Sequence, residues 1–77
     1  MRRITYYVMQ VGEHWEVACS QRGSEPQRHP DRTEALRAAQ AAARGQWERE
    51  RIATAVAVSE DDGGWHQAAV YGDLLDF

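Results

Sequence analysis

The chain opens on Arg3-Ile-Thr-Tyr-Tyr-Val-Met-Gln-Val11, a run dense in β-branched and aromatic residues that predicts a strand. Gly12-Glu13 interrupts it. His14 through Ser20 then alternates Trp15, Val17 and Cys19 against Glu16, Ala18 and Ser20, the period of two expected of a half-buried strand. A two-residue hairpin loop at Gly12-Glu13 sets Val8 opposite Val17 and Tyr6 opposite Cys19. The inward set is then Ile4, Tyr6, Val8, Trp15, Val17 and Cys19, while Thr5, Tyr7, Met9, Val11, Glu16 and Ala18 face the other way.

Polar residues 21–32, with Gly23, Pro26 and Pro30, predict a loop or a short irregular edge segment. A helix is expected from about Thr33, with Asp31 and Thr33 both good N-caps and Pro30 blocking an earlier start. Leu36, Ala39, Ala43 and Trp47 fall on one face at spacings of three and four, flanked by Ala35 and Ala42, and Arg37, Arg44 and Glu48 on the other. Gly45 weakens the last turn by ~1 kcal/mol relative to Ala, so fraying is expected there.

Ile52 to Val58 alternates small and branched residues without a charge, as a central strand does. Ser59-Glu-Asp-Asp-Gly-Gly64 reads as a turn, and Trp65 to Tyr71 as a last strand. The parity of that strand is open: either Trp65, Ala69 and Tyr71 or Ala68 and Val70 face the helix. Residues 73–77 form a short acidic and apolar tail. The expected architecture is α+β: strand, strand, helix, strand, strand, with one helix on one face of a four-stranded, mostly antiparallel sheet in a single domain spanning 1–77.

Composition narrows the function. With 43% hydrophobic and 27% charged residues the chain matches an ordinary globular protein, and no apolar run reaches the ~20 residues of a membrane span. The N-terminus runs straight into strand-like residues rather than a signal peptide, so a cytoplasmic location is expected. A net charge of −3 argues against a general polyanion binder. All nine basic residues are Arg, which forks onto carboxylates and stacks on aromatics as Lys does not. So short a chain, with a lone cysteine and no paired ligand spacing, has neither a disulfide nor an evident zinc site to add to a core worth roughly 3–5 kcal/mol; self-association, with a homodimer as the expected form, is the remaining support.

Tyr7-Val8, Trp15-Glu16-Val17, Thr33-Glu34-Ala35, Asp62-Gly63 and Tyr71-Gly72 together resemble the pattern of a family of small bacterial proteins catalogued as a domain of unknown function. The likeness spans most of the chain. It departs at His14, where a turn glycine is common, in the absence of Lys, and in the acidic tail. It implies the strand-strand-helix-strand-strand fold and transfers no catalytic residue. The first half is also similar to antitoxins of the HicB type, which share a Tyr-Tyr-Val strand, a hairpin and a Glu-Ala helix; their DNA-binding segment is not expected to fit this length.

Chemistry-bearing residues are few. His14, Cys19, His29 and His66 lack the close spacing of a metal site, so no metal or other cofactor is expected. Cys19 with a histidine lacks a local signature for nucleophilic catalysis, and no enzyme activity is expected. Glu60, Asp61 and Asp62 lack the ligand spacing of a calcium loop. What remains is surface. One helix leaves half the sheet uncovered, and that face carries Tyr7, Met9 and Val11, with Trp65 or Tyr71 joining them according to parity. Residues 21–32 or the tail are the segments able to cover it. The leading expectation is a protein-interaction module acting by sheet-face or edge-strand association, through Tyr7, Met9, Leu74, Leu75 and Phe77, with itself or a protein partner. The alternative is a nucleic-acid-binding accessory or regulator, antitoxin-like, using Arg37, Arg44, Arg49 and Arg51.

Overall fold

The computed structural model describes residues 3–21 and 23–72. The first hairpin pairs β1 (Arg3–Val11) with β2 (His14–Cys19) in the register expected, Val8 opposite Val17 and Tyr6 opposite Cys19. Gly12, at φ 63°, supplies the left-handed backbone that this turn requires. A third strand follows, β3 (Gln27–His29), antiparallel to β2, where the sequence suggested a loop or an irregular edge. The helix α1 (Arg32–Glu50) then leads to β4 (Ala53–Ser59) and β5 (Trp65–Tyr71).

The sheet has five strands in the order β3-β2-β1-β4-β5, not four. Three of its pairings are antiparallel and the central one, β1 with β4, is parallel. The short β3 accounts for that direction. It adds one reversal before the helix, so α1 returns the chain to the end from which β1 starts, and β4 runs alongside β1 as the far strand of a crossover.

Asp31 caps α1 by accepting the Glu34 N–H at 2.8 Å, two residues earlier than a Thr33 cap would place the start. The helix continues through Gly45. It ends at Arg51, a non-glycine residue held at φ 55° whose N–H reaches the Trp47 carbonyl at 2.8 Å. Ala35, Ala39 and Ala43 are fully buried, so the helix backbone lies close on the sheet, with Leu36 and Trp47 partly exposed at the flanks. Below them lie Val8, Val17, Val56 and Val58. The helix also buries two polar side chains. The Thr54 hydroxyl donates to the Ala43 carbonyl at 2.8 Å, and Gln46 accepts the Tyr6 hydroxyl at 2.6 Å while donating to Glu50 at 3.0 Å.

The last strand takes neither of the two simple parities. A β-bulge shifts the register so that His66 opposes Val58 while Ala69 opposes Val56, leaving Ala68 as the extra residue. Ala69 and Tyr71 therefore pack toward the helix, while Trp65, opposite Ser59, lies on the uncovered face. Beyond Tyr71, Gly72 takes φ 79° directly against the Trp47 ring.

Candidate functional site

On the face opposite α1, which no described element covers, the register sets Thr5 beside Ala55 and Tyr7 beside Ala57, and alternation adds Met9 and Ser59 to the same face. Trp65, Gln67 and Val70 of β5 complete the row on its far side, with the exposed Gln67 between the two apolar residues. The rings of Tyr7 and Trp65 meet edge to face above this stripe of small residues, with centroids 5.3 Å apart and planes at 72°. Ala55, between Thr5 and Val70 in register, is left only 4% exposed although no helix covers it. Val70 beside it is 40% exposed, and further along the same face Trp65 and Val11 are 52% and 39% exposed. The β2 and β3 side of the same face is polar: His14 and Glu16 pair at 2.8 Å, and Arg28 stands opposite Glu16. The face is thus divided into an apolar half over β1, β4 and β5 and a charged half over β2 and β3.

The expected contact residues Tyr7 and Met9 both belong to the apolar half, each partly exposed. Trp65 joins them as the more open aromatic, and Tyr71 does not. Leu74, Leu75 and Phe77 lie outside the described residues. The described part of the 21–32 segment does not lie over this face. It folds to the helix side, where Gln21, Ser24, Glu25 and Gln27 join Tyr6, Val17, Cys19, Ala38 and Ala42 around a cleft of 320 Å³.

Cys19 therefore lines a cleft rather than the core. Its sulfur accepts the Gln21 N–H at 3.4 Å, and none of the three histidines lines the same cleft. The pairing of Cys19 with a histidine base is not assembled. Burial, helped by the neighbouring Cys19 thiol, raises the Tyr6 phenol above its ordinary range, and its hydroxyl donates a hydrogen bond to Gln46 Oε1. Among the described residues no group of three or more His, Cys, Asp or Glu is placed to hold a metal ion. Asp62 spends one carboxylate oxygen on the Gly64 N–H at 2.8 Å, as turn chemistry requires.

The arginines of the alternative reading do not form one free patch. Arg37 pairs with Glu34 and Arg44 with Glu48, each at 3.2 Å, and the Arg51 guanidinium lies 5.2 Å from the centre of the Trp47 ring. Arg49 extends back along the helix over Gly45. Among the described residues no helix is long and apolar enough to cross a membrane. Comparison with protein-family models, with curated proteins and with solved structures finds no match.

Proposed function

We propose that this chain is a non-enzymatic protein-interaction module that binds through the apolar half of its uncovered sheet face and the adjoining β5 edge. The observation that carries this reading is the Tyr7–Trp65 pair, with Trp65 half exposed and Val70 and Val11 also exposed on the face opposite the helix. Contiguous apolar surface of this kind favours association, since covering it removes the cost of hydrating it. The charged half over β2 and β3 gives a docked partner a preferred orientation, because a misplaced partner strands His14, Glu16 or Arg28 without water. The regulatory, nucleic-acid reading has weaker support, since Arg37 and Arg44 each stand beside a helical glutamate that offsets their charge.

Affinity capture from source-cell lysate tests the proposal, run with and without nuclease on the wild-type chain and on a Tyr7→Ser, Met9→Ser, Trp65→Ser variant. A protein retained through nuclease and lost with the variant is the expected result. Recovery that requires intact nucleic acid and persists in the variant overturns the reading and turns attention to Arg37, Arg44, Arg49 and Arg51.

A further inference from the structure

β3 is the least anchored strand of the sheet. It is three residues long, Gln27 and Arg28 are exposed, and the partly buried His29 is its only side chain with appreciable cover. That cover is itself imperfect. Nε2 of His29 is buried without a hydrogen-bond partner, the one such side-chain atom among the described residues. A buried ring nitrogen without a partner favours any state in which water reaches it. Among the described residues no ion pair holds Glu25 or Arg28 to the rest of the fold. The strand is kept in place by its backbone. The Ser20 N–H bonds to the Thr5 carbonyl at 2.9 Å, so the even-numbered residues of β2 aim their backbone groups at β1 and the odd-numbered ones at β3. The β3 ladder therefore consists of two pairs, Trp15 with His29 and Val17 with Gln27.

We propose that residues 24–30 are a hinged strap that lifts from β2 as a unit while the rest of the fold stays closed, with the unpartnered His29 ring setting how often it does so. Local opening belongs to segments with few buried apolar contacts and a solvent-exposed ladder, and β3 has both properties. The limits of the movement are built in. At one end Asp31 is fixed as the cap of α1, so lifting stops before the helix. At the other, Ser20 is fastened to Thr5 through its N–H and its hydroxyl, each at 2.9 Å, so lifting stops before the first hairpin. Pro26 and Pro30 restrict the backbone on either side of β3, which favours movement in one piece. What the strap covers differs from the strap itself. Trp15, Val17 and Cys19 give β2 the alternation of a strand able to pair, and once the strap lifts, its outward N–H and C=O groups become an open edge. The 320 Å³ cleft loses the Ser24, Glu25 and Gln27 side of its rim in the same step. Closed, the strap blocks pairing along β2; open, it exposes both that edge and the cleft. This device is separate from the sheet-face reading above and does not depend on it.

Native-state amide exchange of the full chain, followed by nuclear magnetic resonance at urea concentrations below the unfolding transition, tests the proposal, because alternate amides of β2 report on different neighbours. The amides of Trp15, Val17, Gln27 and His29 should be protected at least about tenfold less than those of Glu16 and Ala18, and should depend little on urea because so small an opening exposes little surface. His29→Leu removes the unpartnered nitrogen and keeps an apolar side chain, and should raise the protection of Trp15 and Val17 by roughly tenfold. Trp15 and Val17 protected as strongly as Glu16 and Ala18, with the same urea dependence, overturn the proposal, since β3 then leaves only with the whole fold. Weak protection at these amides with a steep urea dependence overturns it as well, because a larger unit is then opening. Unchanged protection of Trp15 and Val17 in His29→Leu overturns the part given to the His29 ring. Should that variant fail to fold, the comparison of alternate amides in the wild-type chain decides alone.

Discussion

Gly72→Ala is the sharpest probe of how this small fold is closed. A Cβ at position 72 stands 2.7 and 2.8 Å from Cε3 and Cζ3 of Trp47 and 3.1 Å from Cδ2. Ordinary carbon contacts lie near 3.5–4.0 Å, so the indole must retreat by roughly 1 Å. Its six-membered ring is no flexible tip, and the Arg51 guanidinium lies against the same indole. Overpacking of this kind costs about 1–3 kcal/mol. The φ of 79° adds a second cost, about 1 kcal/mol for any residue with a Cβ. A total of about 2–4 kcal/mol is most of the roughly 3–5 kcal/mol available to a domain of this size. Urea unfolding at fixed chain concentration, followed by tryptophan fluorescence and far-ultraviolet circular dichroism, measures it. Trp47→Leu separates the two costs, because a smaller, flexible side chain makes room for the Cβ. In that background Gly72→Ala should lose only the conformational part, about 1 kcal/mol. An equal loss in both backgrounds refutes the steric argument, and a loss below about 0.5 kcal/mol in the wild type refutes both parts.

Three further outcomes follow from the helix–sheet layer. Thr54→Val keeps the shape of a buried side chain but removes its bond to the Ala43 carbonyl, and should cost about 1–2 kcal/mol in the same unfolding assay. Gly45→Ala should stabilise by about 0.5–1 kcal/mol, because the only atoms within reach of the new Cβ belong to the movable end of Arg49; thermal unfolding shows the sign. Tyr6 has a folded pKa raised above its unfolded value by burial, so its contribution to stability is whole below about pH 10 and falls as pH rises through the folded value. Tyr6→Phe should flatten that alkaline slope, read from urea midpoints across the range, and cost about 1 kcal/mol at neutral pH through the lost bond to Gln46.

The parts of this fold legible in the sequence are those set by local periodicity. The first hairpin shows its register through alternation and a two-residue turn, and the helix shows its buried alanines through spacing of three and four. β3 is hidden because Gln27-Arg28-His29 has no apolar residue to mark a face; it exists through pairing with β2, a tertiary fact. The facing of β5 is unreadable for a different reason. A bulge puts one extra residue into a period-two pattern, so no single parity fits both Trp65 and Tyr71. Gln46 escapes notice because its burial depends on Tyr6 arriving from β1 to share its oxygen. Of the candidate surface, Tyr7 and Met9 follow from alternation, whereas Trp65 becomes its most open aromatic only once the bulge is known. The helical arginines, read as a patch, carry their neutralising glutamates at three and four residues' distance, a spacing visible in the chain.

The bulge also explains how one exposed strand takes part in both layers. Without the bulge, strict alternation counted through Ala68 would send Trp65, Ala69 and Tyr71 to the same face. If that face were the helix side, the uncovered face would lose the ring that meets Tyr7. If it were the uncovered side, Tyr71 would leave the core and Gly72 would no longer be delivered to Trp47. With Ala68 taken out of the alternation by the bulge, the C-terminal half of β5 is fastened beneath the helix end through Ala69, Tyr71 and the Gly72–Trp47 contact, while the N-terminal half presents Trp65 beside Tyr7. A strand exposed along most of its length is thereby held at one end by close packing, while among the described residues no strand pairs with its outer edge. That combination is what an association surface requires, since a fixed edge loses less conformational entropy when a partner strand pairs with it.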